Sequence, residues 1–141
     1  MQTQTYIQNA KLGQKVVFMP SIHNETVELL REAQDYFTDF GEIDQEHLES
    51  NIRNIYTCEM SRITLRLSCI MAWLLEQRSM ANGETRKIIY EHNNLDFQDI
   101  CMVDTSMLHG ILPSYICYLL DESLELYERV LRLNQKAKVI H

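Results

Sequence analysis

Residues 58–78 read CEMSRITLRLSCIMAWLLEQR, and wound as a helix they are apolar on nearly every side. Placing residues at 100° intervals predicts one long helix from about Gln45 to Asn82, closed by Gly83. Three stripes separate on it. Ile52, Tyr56, Met60, Ile63, Leu67, Ile70 and Leu74 form a continuous apolar seam spaced three and four apart. Ser61, Thr64, Leu65, Ser68, Ala72 and Leu75 make a small or apolar stripe suited to close approach of another helix. The third contains Ile55, Cys58, Glu59, Arg62, Arg66, Cys69, Trp73 and Gln77. A surface helix needs one apolar stripe. This one has two for neighbours in the same chain, and the mixed stripe is left over.

Arg and Trp are enriched at interface hot spots, and a guanidinium over an indole adds a cation–π contact. Glu59, Arg62, Arg66, Cys69, Trp73 and Gln77 are therefore the candidate interface with a partner or a second copy. Two structural alternatives stay open. Glu59 precedes Arg62 by three residues, so the two can pair along an exposed helix face. Arg66 can also reach a carboxylate of its own chain.

Upstream, residues 1–20 lack clear periodicity and read as an N-terminal arm ending at Pro20. A first helix is expected from Ser21 or Asn24, either of which can cap it. Val27, Leu30, Ala33 (or Gln34) and Phe37 give its apolar stripe, flanked by Leu29 and Tyr36. Glu25, Glu28, Glu32, Asp35 and Asp39 gather opposite, and the stop is expected at Phe40–Gly41. Downstream, residues 84–112 break periodicity at His92–Asn93–Asn94 and read as a mobile or docking loop. A last helix begins at Pro113. Ile116, Leu119, Leu120, Ser123, Tyr127, Val130 and Leu131 line one face of it, and basic residues gather near its end. The predicted fold is all-α: an antiparallel three-helix bundle with a long central helix and a flexible loop, 84–112, between helices 2 and 3. Residues 21–141 form its one domain.

Composition agrees. Two prolines and four glycines in 141 residues are too few for a β-rich fold. The net charge of −7 argues against nucleic acid, whose phosphates need a basic face. The apolar run 67–75 is far short of the ~20 residues that span a bilayer, so no membrane insertion is expected. The opening MQTQTYIQNAKLGQK has no apolar core of a secretory leader. Cys58, Cys69, Cys101 and Cys117 form no CxxC pair and read as reduced, buried thiols of a cytoplasmic protein.

Catalytic motifs are missing: no G-x-S-x-G, Walker A, GxGxxG or HExxH. Asp44-x-x-His47 resembles half of a di-iron motif, but such a site needs two E-x-x-H repeats and two more inward glutamates. His109, Cys101 and Cys117 match no common zinc spacing. No metal, cofactor or enzymatic activity is expected.

The run EMSRITLRLSCIMAWLLEQRSMANGE, residues 59–84, resembles the signature of the RcdA-like family, the alphaproteobacterial regulators of CtrA degradation. The matches are Arg62, Thr64, Arg66, Leu67, Trp73, Leu74, Leu75, Gln77, Arg78, Gly83 and Glu84. Glu25, Leu29, Glu32 and Tyr36 in the first helix are similar too, as are Leu112, Pro113, Ser123, Leu124, Leu126 and Arg129 around the third. The resemblance implies a three-helix bundle, usually a homodimer, with a flexible connection between helices 2 and 3. It also implies a non-enzymatic role as an adaptor in regulated, cell-cycle proteolysis, bridging substrate proteins to the ClpXP protease through a further adaptor. The rival expectation is a structural or regulatory helical dimer unconnected with proteolysis.

Overall fold

A computed structural model of the chain describes residues 20–81, 83 and 97–139. The arm up to Met19 and residues 84–96 of the expected loop lie outside the described residues. Among the described residues the chain is all-α. Its helices are α1 (Pro20–Glu46), α2 (Ser50–Ala81), the single turn α3 (Gln98–Cys101) and α4 (Ser114–Val139), with a 3-10 turn at Ser106–Leu108.

α1 starts at Pro20, whose fixed φ and missing N–H suit a first helical turn. It does not stop at Gly41. Glycine ends a helix by turning left-handed, and positive φ is found at Gly83 and Gly110, not at Gly41. The helix runs on to Glu46 because Asp44 is tied to its neighbour. The Asp44 carboxylate accepts hydrogen bonds from the Tyr36 hydroxyl at 2.5 Å and the Tyr56 hydroxyl at 3.0 Å. A turn at residues 47–49 follows, so α2 begins five residues later than Gln45. Gly83, with φ +71°, lies just past its end, as the sequence predicts.

α2 packs against α1, α4 and α3, and α1 also packs against α4. Arg129 of α4 binds Glu25 near the start of α1 at 2.8 and 3.0 Å. Tyr115, at the start of α4, reaches Glu32 further along α1 at 3.4 Å. Rising positions on α1 thus meet falling positions on α4, and the two helices run antiparallel.

The predicted seam of α2 is the core. Tyr56, Ile63, Leu67, Ile70 and Leu74 are buried, with Ile52 and Met60 packed partly buried against them. The predicted face of α4 is buried throughout: Ile116, Leu119, Leu120, Ser123, Tyr127, Val130 and Leu131. Each fully buried large aliphatic side chain contributes about 1.5–3 kcal/mol relative to exposure. α1 adds Ile22, Thr26 and Ala33.

The other two stripes of α2 exchange the places expected of them. Ser61, Thr64, Ser68 and Leu75 are exposed, and Leu65 and Ala72 are partly so. The mixed stripe is inside. Small polar residues tolerate either environment when their hydroxyls bond within the helix. Here Ser61 donates to the Thr57 carbonyl and Thr64 to the Met60 carbonyl, so neither hydroxyl requires a neighbouring helix.

The expected loop is also more ordered than predicted where it is described. Residues 97–112 contain α3 and the 3-10 turn, and Cys101, Thr105 and Leu112 are buried. Periodicity cannot report such single turns, because each is far shorter than the stretch over which a helical pattern repeats.

Candidate functional site

The stripe proposed as an interface is covered by residues 97–103 and by α4. Arg66 has 0% exposure and Trp73 1%, and Glu59, Cys69 and Gln77 are buried as well. Arg62 is partly buried. Side chains placed this way present no docking face, and the expectation that the stripe faces away from its neighbours is corrected. Its residues hold the chain together.

Arg66 is the hub. Its Nε donates to the carbonyl of Cys101 at 2.8 Å, and Nη2 donates to that of Val103 at 3.3 Å. Nη1 donates to the carbonyl of Leu120 at 3.0 Å and to Ser123 Oγ at 3.1 Å. Ser123 in turn donates to the Leu120 carbonyl at 3.1 Å. The expected alternative, a carboxylate partner, is replaced by neutral oxygens from two elements. Burial, and then the nearby charge of Arg62, lowers the pKa of Arg66 from its ordinary value. A fork of planar donors suits several carbonyls at once, which an ammonium on a flexible stem does not.

Arg62 sits one turn before Arg66. Nε and Nη2 clasp the two oxygens of Glu59 at 2.8 and 3.1 Å, so the predicted pair forms. Glu59 is buried rather than on an exposed face. Nη1 of Arg62 donates to the Ile100 carbonyl. Two arginines of α2 therefore hold the carbonyls of residues 100, 101 and 103.

The rest of the stripe is likewise used internally. Trp73 Nε1 donates to Asn134 Oδ1 at 3.1 Å, joining α2 to the far part of α4. Burial, and then the neighbouring Cys101, pushes the Cys69 thiol up to about 11. Cys101 is also raised by burial, against the lowering influence of Tyr127 and Arg66. Both thiols are protonated at neutral pH and are poor nucleophiles. Cys117 is buried, whereas Cys58 is exposed, unlike the expectation of four buried thiols.

The half-motif Asp44 and His47 has other partners: Asp44 holds two tyrosines, and His47 Nδ1 lies 2.7 Å from the Ile43 carbonyl. His109 faces Asp121 at the surface, 3.2 Å away, while the Cys117 thiol points to the Leu108 carbonyl. No cluster of three or more His, Cys, Asp or Glu suited to a metal occurs among the described residues. Nor is any helix there long and apolar enough to cross a membrane.

Anchoring a segment by its carbonyls leaves its side chains to point elsewhere. Cys101 goes in, but Phe97, Ile100, Met102, Val103, Met107 and Ile111 are exposed, Met107 to 74%. Large apolar side chains gathered on one short segment mark an interaction surface more often than scattered ones do. Sequence reasoning offers 84–112 as a mobile or docking loop but does not single out these side chains, because the segment lacks periodicity. The available signal was two arginines on a face otherwise fit for burial, which required oxygen partners from somewhere.

No curated protein and no solved structure matches the chain. The chain belongs to the family described as "Protein of unknown function (DUF1465)", which it matches over residues 13–139.

Proposed function

We propose that the chain is a cytoplasmic, non-enzymatic interaction module: an antiparallel three-helix bundle that acts as an RcdA-like adaptor, delivering cargo proteins to ClpXP. The observation that carries the reading is the segment 97–111. Its backbone is fixed by buried Arg66 and partly buried Arg62, while six large apolar side chains face solvent. A surface held by the interior of a fold is preorganised, which lowers the ordering cost of binding. The family resemblance gives independent support. Residues that carry it meet across the chain, Arg66 with Ser123 and Glu25 with Arg129. Tethering cargo beside the unfoldase raises its effective concentration without catalysis.

A degradation assay with ClpXP, its priming adaptor and a candidate cargo tests this. The cargo is degraded faster when the chain is added, and an Ile100→Ser, Met107→Ser variant loses the effect while keeping its helical content. An acceleration that is absent, or unchanged in the variant, contradicts the reading.

A second reading is a structural or regulatory homodimer, and one feature favours it. Phe37, Met60, Leu65 and the small residues Ser61, Thr64 and Ser68 line an open groove of about 450 Å³ between α1 and α2. Small residues permit close helix approach. Sedimentation of the chain and of a Leu65→Lys variant separates the two: the dimer reading requires association that the lysine abolishes.

A further inference from the structure

A different face of the molecule, formed by α1 and α4, carries a row of aromatic rings, three of them exposed and Tyr36 partly buried. Tyr36 and Tyr115 stack with centroids 4.6 Å apart and planes 18° apart. Tyr118 continues the row beyond Tyr115 at 5.3 Å, and Phe40 continues it beyond Tyr36, also at 5.3 Å. Phe40 is 50% exposed, Tyr118 42% and Tyr115 37%, so the ladder lies open to solvent. Rings arranged against one another in this way are fixed before anything binds.

The rim of this ladder is acidic. The Tyr115 hydroxyl donates to Glu32, and Glu32, Asp35 and Glu122 are the charges that act on Tyr115 and Tyr118. At the Tyr118 end the surface dips into a cleft of about 410 Å³ bounded by His109, Asp121 and Glu122. From Ser114 to Glu128 the chain has acidic residues but no Lys or Arg. The next cation, Arg129, is tied to Glu25.

Stacked π-faces beside carboxylates are complementary to a planar cation. A guanidinium can lie flat on a tyrosine ring while its edge donates two hydrogen bonds to a carboxylate. A second copy of the same face would set acid against acid, which costs affinity. We propose that the ladder Phe40–Tyr36–Tyr115–Tyr118 and the adjoining acidic cleft dock an arginine-bearing extended segment of a protein partner. One arginine lies on the ladder and another enters the cleft at Glu122, beside Asp121, which faces His109 at 3.2 Å. This deepens the interaction-module reading and rests on it, by naming the chemistry of a partner for a second surface.

The test uses the full chain and a short fluorescein-labelled Gly/Ser peptide bearing arginines, followed by fluorescence anisotropy. Binding saturates, weakens steeply with added salt, and is lost when citrulline replaces each arginine. Tyr118→Ala weakens binding by about tenfold, within the range of a lost cation–π contact. Tyr118→Phe, which keeps the ring, binds like the unaltered chain. Glu122→Gln weakens binding with the helical spectrum unchanged, which shows that the loss does not come from unfolding. Absence of saturable binding overturns the proposal. So does equal binding of the citrulline peptide, which would make the ladder a plain apolar patch, or a folded Tyr118→Ala protein with unchanged affinity. Self-association abolished by Tyr118→Ala also overturns it. In the ClpXP assay, cargo delivery that persists without peptide binding removes this docking surface alone. Peptide binding that persists without delivery removes the adaptor reading alone.

Discussion

Arg66 and Ser123 stand 57 positions apart and meet at 3.1 Å, both with 0% exposure. That contact joins α2 to α4 at the level where the segment around Cys101 and Val103 is held. It makes a charged side chain an organiser of a mainly apolar interior.

Removing the guanidinium strands the oxygens it serves. Arg66→Met, similar in length and apolar, is expected to cost about 2–4 kcal/mol, since each orphaned buried acceptor costs about 1–3 kcal/mol. Arg66→Lys keeps the charge but not the fork, and is expected to lose about 1–3 kcal/mol. Urea denaturation of both variants checks this, with the slope unchanged if unfolding stays two-state.

Trp73 separates an interior role from an interfacial one. Trp73→Ala is expected to lose about 3–5 kcal/mol of folding stability, as for other large-to-small core changes. Association measured by sedimentation is expected to stay as it was. Weakened association with an unchanged melting temperature would restore the interface that the sequence suggested.

The seam gives a third test. Leu67 is 1% exposed within a closed apolar cluster, and Leu67→Ala is expected to cost about 2–5 kcal/mol. A midpoint unchanged within error would mean the helix is turned the other way.

The stripes of α2 show what a sequence makes legible and what it does not. The seam and the buried face of α4 were readable because large apolar residues at helical spacing have only one favourable environment. The mixed and small stripes were not, because neither has a unique one. Serine and threonine satisfy themselves within the helix, so the same residues fit a tight interface or open water. Arg66 is exposed by default unless oxygens surround it, and its four acceptors lie 35 to 57 positions away. No local pattern reports those acceptors. Gly41 was misread for a related reason: Asp44 is held by Tyr36 two turns earlier on α1 and also by Tyr56, which α2 brings to it only in the tertiary structure. The exposed aromatic ladder likewise exists only once α1 and α4 are side by side.

That Asp44 junction is itself testable. Asp44→Ala removes the acceptor of both hydroxyls and is expected to cost about 1–3 kcal/mol. Amides near the end of α1 are expected to exchange faster, while those of α4 keep pace with global unfolding. Uniform acceleration along the chain would argue against a local clasp.

The thiols predict an alkaline limb. Burial raises Cys69 from 9.0 to about 11, so the folded state keeps a proton that the unfolded state has released between those values. Stability is then full below pH 9 and falls as pH rises towards about 11. Cys69→Ala is expected to flatten that slope. Glu25 works in the opposite sense: the hydrogen bond from Arg129 lowers its pKa, so its contribution is present above the ordinary carboxylate range and lost in acid. That pair is largely exposed, and Glu25→Gln is expected to change stability by less than about 1 kcal/mol.

The central claim is that a buried guanidinium fixes the segment that displays the apolar surface. Native-state hydrogen exchange on the unaltered chain and on Arg66→Met tests it most directly. In the variant, amides of residues 98–105 are expected to open about tenfold or more faster than global unfolding allows. Those of Ile63–Leu74 are expected to follow the global stability alone. Exchange of the segment that tracks global unfolding in both proteins would show that something other than Arg66 holds it.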